Sequence, residues 1–340
     1  MPHVSDDAVR GAARYVCAAA VKDFDAAGTV DSERGVLQVR ERISKDKFIP
    51  LGRGKGRAAA AVDGGSAIVM DCGSFIVGAI TAGHVLFDGR KATAHVQPLR
   101  LLPVSQIDKP CVYDEIFKEA LSVAPPDAPE SLESLIGRAR NLAEWLDAER
   151  AIDSLPKGSL LLIDGSLWAG TPGIRPLVAR VADAAQKQGI CLAGVSKQSK
   201  LYTGYRPLVP ALARLGRREL GEACWAYPVD LKEYADRQFG ETFVTHLHPM
   251  AEFAFRIDIR KTSDISCQDA LESLVALSDD PGYLGYPYPL ARVHNEVALG
   301  GELCAELEVA LKRAISAEGG ELGAVEEYGR DFHKVLDGGG

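Results

Sequence analysis

Two acidic residues of this sequence stand in the same local setting. Val62-Asp63-Gly64-Gly65-Ser66 and Ile163-Asp164-Gly165-Ser166 each place an aspartate where an apolar stretch gives way to glycine. A carboxylate at the end of a buried strand is costly to desolvate and needs a compensating charge. Two such carboxylates on neighbouring strands would make a compact oxygen-ligand site for Mg²⁺ or Mn²⁺. The plainer reading is that each aspartate caps a turn through its own side chain. The matched context of the pair favours the metal site. His246-Leu247-His248 also has the spacing of a metal pair on one strand face. No acid lies near it and Pro249 follows, so it reads as structural. Gly52-Arg53-Gly54-Lys55-Gly56-Arg57 looks like a phosphate loop, but it lacks the Gly-Lys-Ser/Thr ending and precedes a strand instead of following one. It reads as a basic connector, with Arg53, Lys55 and Arg57 as candidate backbone contacts for a nucleic acid.

The elements that must position these residues are legible from periodicity. Ala58 to Asp63 reads as a strand ending in a Gly64-Gly65-Ser66 turn. Phe75 to Phe87 is rich in β-branched and aromatic residues, and Asp88-Gly89 signals a hairpin before Lys91 to Val96. These three strands form an antiparallel meander. A polar region with Pro125, Pro126 and Pro129 leads to a helix over Leu132 to Ile152. Ser159 to Asp164, a helix carrying Leu177, Val181 and Ala185, and Ile190 to Val195 make a βαβ unit with parallel strands. Asp164 and Lys197 then lie at the carboxyl edge, where open α/β sheets bind their ligands. Phe253 to Ile259 is a further strand, followed by helices through Ala314. The domain plan is an N-terminal helical segment (1–50, with an amphipathic helix from Ser5 to Phe24), one α/β domain (51–330) and a flexible tail (331–340).

The sequence has 340 residues, 46% hydrophobic and 25% charged, which suits a globular protein with one large core or two smaller ones. A net charge of −8 argues against a surface that coats DNA all over but allows a local basic channel. The seven cysteines are scattered without a CxxC pair, against a zinc site or a disulfide framework. Asp6, Asp7 and Arg10 stand where a signal peptide would need apolar residues, and no stretch approaches a membrane span of about 20 apolar residues. The expectation is a cytoplasmic, nucleoid-associated protein with no membrane partner.

An antiparallel meander carrying one acid, followed by a parallel strand carrying another, is the layout of RNase H-like nucleases. The sequence resembles the NurA family of DNA-end nucleases in five segments. They are Ala61 to Ala67, Leu160 to Leu167, Gly194 to Lys200, Phe255 to Ile259 and Gly285 to His294. Each is a weak pattern alone; five in the family's order span most of the chain. The resemblance implies an RNase H-like α/β mixed sheet with helical insertions and a deoxyribonuclease dependent on Mn²⁺ or Mg²⁺, with two ions. It also implies 5'–3' exonuclease activity, with single-strand endonuclease activity, at double-strand breaks under repair. Asp63 and Asp164 match the family's two strand acids. Glu144 best matches a glutamate on the preceding helix, with Glu133 and Glu149 as alternatives on the same segment. Tyr286 and His294 match a tyrosine and histidine eight residues apart. Lys197 fits a basic residue near the reacting phosphate, and Lys200 a further DNA contact. In such a site Asp63, Glu144, Asp164 and His294 hold the metals.

The resemblance also implies a homodimer that docks on a hexameric HerA-type ATPase. The sequence adds that no P-loop is present and that an acidic chain captures DNA weakly by itself. Two rival readings remain: a phosphotransferase of the actin-like or sugar-kinase group, holding phosphates with the two Asp-Gly turns, and a scaffold that kept the fold without catalysis.

Overall fold

A ten-stranded mixed sheet carries the fold, with different helices on its two faces. The computed structural model describes residues 10–14, 36–105, 111–126, 131–319 and 323. After β1 (Leu37–Gln38) and β2 (Ile49–Pro50) comes a long antiparallel hairpin of β3 (Ala59–Asp71) and β4 (Phe75–Phe87). Both β5 (Ala92–Val96) and β6 (Arg100–Ser105) pair antiparallel with β4. Helices α1 (Cys111–Leu121) and α2 (Leu132–Ile152) precede β7 (Leu160–Asp164), α3 (Arg175–Lys187) and β8 (Cys191–Ser196). Then follow β9 (Leu201–Thr203), β10 (Arg206–Pro207), α4 (Leu208–Leu220), β11 (Trp225–Val229), β12 (Glu241–His246) and β13 (Phe255–Arg260). Helices α5 (Cys267–Leu277), α6 (Tyr288–Val297) and α7 (Gly301–Ala317) come last among these elements.

The strand order is β2-β11-β12-β13-β8-β7-β3-β4-β5, with β6 also on β4. At its centre β3, β7 and β8 are parallel. This is the expected RNase H-like arrangement, a meander followed by a parallel βαβ unit. Strands β7 and β8 are almost continuously apolar because both faces are covered, as parallel strands require. On one face Ala60, Val62, Leu161 and Ile163 meet α1, α2 and α3; on the other Ala59, Ala61, Leu160 and Leu162 meet α5 and α6.

Strand alternation then fixes where the acids go. Asp63 continues the series Ala59, Ala61, and Asp164 continues Leu160, Leu162, so both face the α6 side. The parallel register pairs Val62 with Ile163, which puts Asp63 and Asp164 side by side one residue further on. Helix α2 starts at an N-cap, the Ser131 side chain accepting from the Ser134 amide. Its buried stripe of Leu135, Ala139, Leu142, Trp145 and Ala148 also contains Glu144 and Asp147.

One turn expected from the sequence is absent. Gly64-Gly65-Ser66 does not end a strand; β3 runs straight through it to Asp71, laddered to Ala82 and Thr81 of β4. The glycines are there because helices press in from both faces. A Cβ on Gly64 would lie 2.7 Å from Cγ of Glu144, and one on Gly65 would overlap the Val297 carbonyl at the end of α6. Asp63 is therefore a mid-strand residue, whereas Asp164 does end its strand, with Gly165 at φ +130° turning the chain.

Residues 36–50 form β1, a 3₁₀ turn and β2, which pairs with β11 at the sheet edge. Of the helix expected over Ser5 to Phe24, only residues 10–14 are described, and they are helical; the 331–340 tail lies outside the described residues. Among the described residues no helix is long and apolar enough to cross a membrane.

Candidate metal centre

Asp63, Asp164 and His294 each offer a ligand atom, and these atoms all lie within 4.8 Å of one another. They come from three elements. Strands β3 and β7 supply the acids, and α6, which lies across the same sheet face, supplies the histidine. Asp63 is buried, its Oδ1 accepting from the Gly64 amide at 2.7 Å while Oδ2 faces Nδ1 of His294 at 2.8 Å. Burial, then the charge of Asp63, raises the Asp164 carboxyl above its ordinary range, while the Lys197 ammonium acts the other way. A carboxyl whose protonation is favoured by its own burial and by the neighbouring Asp63 marks a donor set short of positive charge. That is the condition a divalent cation satisfies.

Glu144 approaches the same cluster from the opposite face of the sheet, past the bare Gly64, but stands outside the 4.8 Å group. It is buried although its helix is rich in charge. Burial pushes the Glu144 carboxyl up to about 7, with Asp63 and Asp164 adding to the rise and Arg140 and Asn141 opposing it. Oε1 lies 3.5 Å from the Arg140 guanidinium, and Oε2 accepts from the Asn141 side chain at 3.1 Å. Of the three glutamates considered, only Glu144 approaches the acids. Glu149 is bound to Arg180 at 2.7 Å, and Glu133 lies in the first turn of α2, about three turns earlier.

Lys197 and Tyr286 complete the cluster. The Lys197 ammonium donates to Asp164 Oδ2 at 2.6 Å and lies 3.4 Å from Nδ1 of His294. It also sits 5.6 Å above the Tyr286 ring. The Tyr286 hydroxyl donates to Asp164 Oδ1 at 3.4 Å. Burial first, then the two aspartates, raises its pKa so that the phenol keeps its proton. Pro287 and Pro289 flank the start of α6 and fix the approach of Tyr286, whose ring rests on Phe255 at 5.4 Å.

The other candidates lie elsewhere. Arg57 bonds to the Gly158 carbonyl and Ser273, Arg53 pairs with Asp279, and Lys55 lies in the field of Asp269. This loop fastens α5 to the amino end of β7, roughly 13 Å of strand away from Asp164. Lys200 is exposed on the loop that carries Lys197 but does not touch the acids. His246 contacts the carbonyls of Ala223 and Ala251, and His248 accepts from the Met250 amide and pairs with Asp279, which makes both structural.

Some partners escaped the sequence reading. Arg140 and Asn141 precede Glu144 by four and three residues, the helical spacing that faces one side chain with another. Thr171 in turn donates to the Asn141 side chain at 3.0 Å. Asp147, one turn after Glu144, is fully buried against His84 at 2.8 Å and Gln97 at 2.8 Å. The phosphotransferase reading needs an open glycine turn at Asp63. The ladder through Gly64 and Gly65 removes it.

No family model matches the sequence, and no curated protein sequence is similar to it. In structure the chain is similar to the NurA nuclease from Sulfolobus solfataricus, with 15% identity and a TM-score of 0.53. That likeness covers 92% of this chain and 94% of that one. A NurA structure bound to dAMP and manganese has 9% identity and a TM-score of 0.49, over 87% of this chain and 94% of that one. The fold is that of the NurA nuclease.

Proposed function

We propose that this chain is a metal-dependent nuclease that cuts DNA at its ends. The observation that carries the reading is the convergence of Asp63, Asp164 and His294 within 4.8 Å at the carboxyl edge of the sheet. Glu144 approaches them through the gap at Gly64, close enough for both aspartates to act on its carboxyl. The donor set of three carboxylates and an imidazole suits Mn²⁺ or Mg²⁺, with Asp63, Glu144, Asp164 and His294 as the holding residues. Bound there, divalent cations supply Lewis acidity to the phosphodiester and its attacking water.

The remaining chemistry belongs to the chain. Asp63 and Asp164, rigid on adjacent strands, would fix the position of the cations and so of the phosphate drawn to them. Lys197 shares Asp164 with Tyr286 and can turn its charge to the phosphate as negative charge builds on it. Tyr286, which keeps its proton, holds the orientation of Asp164. Water adds to phosphorus and gives up a proton, the bond to the departing oxygen breaks, and that oxygen takes up a proton in its turn.

Finer properties rest on the resemblance noted in the sequence: two manganese ions, 5'–3' exonuclease and single-strand endonuclease activity, and a role in double-strand-break repair. A homodimer docked on a HerA-type hexameric ATPase belongs with them, since no P-loop is visible in the sequence. End-labelled single- and double-stranded DNA incubated with Mn²⁺, Mg²⁺ or EDTA tests the activity. Cleavage with metal and none in EDTA supports the reading. ATP turnover without DNA cleavage overturns it in favour of a phosphotransferase. Adding the ATPase and measuring complex mass and ATP-dependent resection tests the partnership.

A further inference from the structure

At the same edge of the sheet, on the face from which Glu144 approaches, lies a groove of about 820 Å³. Trp168, Tyr234, Ser166, Gln198, Lys200 and Arg256 are among its walls. One short loop joins it to the metal centre. Lys197 on that loop holds Asp164, and Ser196, Gln198 and Lys200 on either side of it line the groove. From the other strand, Ser166 follows Asp164 by two residues. A strand that leaves the carboxylates on one face and rounds this edge meets the groove on the other.

The lining suits one ligand chemistry. Trp168 is half-buried, braced edge-on by Tyr234 at 6.0 Å, and fits against Gly170, where a Cβ would lie 2.7 Å from the indole. The ring is thus held in place while part of it stays open. Lys200 is exposed, and its backbone is anchored by its carbonyl, which accepts from the Leu37 amide. Arg256 is already neutralised by two bonds to the buried Asp258, at 3.0 Å each, so it forms the floor without adding net charge. An aromatic ring, a free-standing cation and hydroxyl and amide donors together match a single strand of nucleic acid. A base stacks on the ring, and a backbone phosphate meets the cation. A base inside a duplex is covered on both faces by its neighbours, so it cannot lie flat on an indole until the strands are opened.

We propose that this groove binds the unpaired strand beside the phosphate to be cut, with one base on Trp168 and a neighbouring phosphate on Lys200. This rests on the nuclease reading above and adds to it the residues that hold the strand outside the metal centre. The test is run in EDTA, so that it is independent of cleavage. Trp145 and Trp225 are buried, which leaves Trp168 as the tryptophan whose emission a stacked base would quench. Oligothymidylate is titrated against the full chain, with oligouridylate to separate DNA from RNA and a duplex closed by a loop at each end as the paired control.

Quenching by the single strands and not by the duplex is the expected result. Trp168→Leu should weaken oligothymidylate binding roughly tenfold by anisotropy. Lys200→Gln should lower the salt slope of binding by about 0.7. Unquenched wild-type emission, or Trp168→Leu binding at wild-type strength, overturns the proposal. Should Trp168→Leu fail to fold, Lys200→Gln decides, and an unchanged salt slope overturns it. Cleavage with Mn²⁺ but no quenching defeats the groove alone. Quenching without any cleavage defeats the nuclease reading alone.

Discussion

Replacing Glu144 with glutamine should stabilise the metal-free protein at alkaline pH and leave it nearly unchanged at acid pH. Burial, reinforced by Asp63 and Asp164, raises the Glu144 carboxyl from 4.5 to about 7 despite Arg140 and Asn141. In the unfolded chain the group ionises at its ordinary value. Between those two values the folded chain keeps a proton that the unfolded chain has released, so stability falls as pH rises through this window. Moving the carboxyl that far corresponds to about 3 kcal/mol against the folded state, complete by about pH 8 and absent below pH 4. Glutamine keeps the shape and can accept from Asn141, but it has no charge to bury. Urea unfolding of both proteins in EDTA at pH 5 and pH 8 reads the difference directly. Because Asp164 is present in both proteins, its own titration largely cancels in the comparison. A divalent cation should reverse the order, since it favours the ionised carboxyl, and Mn²⁺ at pH 8 should stabilise wild type more than Glu144→Gln. Parallel stability curves for the two proteins across this range would refute the reasoning, because Glu144 would then titrate as if it were in water.

Asp63→Ala and Asp164→Ala should each lower DNA cleavage by roughly a hundredfold or more while leaving a folded protein by circular dichroism. Full cleavage by either variant would remove that residue from the site. Tyr286→Phe, which loses only the hydroxyl on Asp164, should cost about 10–100-fold in activity or in metal affinity, measured by Mn²⁺ titration. Gly65→Ala forces a Cβ into the Val297 carbonyl and should destabilise the protein by about 1–3 kcal/mol or more in thermal melts. A melt equal to wild type would mean that α6 does not press on β3 as described.

Much of the frame was legible from local pattern. Strand β4 and helix α2 begin and end where the periodicity of Phe75–Phe87 and Leu132–Ile152 places them. The βαβ unit also follows from its apolar runs, and with it the shared edge that carries Asp164 and Lys197. What escaped was set by distant contacts. Gly64-Gly65 has the local look of a turn, and only the approach of Glu144 and Val297 explains why a strand continues through it. Glu144 stood out only through the family resemblance, because its helix is rich in charge. Its burial depends on the gap that Gly64 leaves and on partners spaced along the same helix. Strand β11 contains Pro228, which argues against a central strand. It is tolerated because β2 pairs only with Trp225 and Ala226, so beyond them that side of β11 faces no strand. Trp168 was unremarked because its part-open setting is made by Tyr234 and Gly170.

The most direct measurement is an anomalous-scattering map from crystals of this protein soaked in Mn²⁺. The expected result is a manganese peak between Asp63 and Asp164, about 2 Å from a carboxylate oxygen of each. Glu144 or His294 should also lie within ligand reach, and the peak should vanish in Asp164→Ala. Manganese bound only elsewhere, in a protein that still cuts DNA with that metal, would contradict the assignment of this centre.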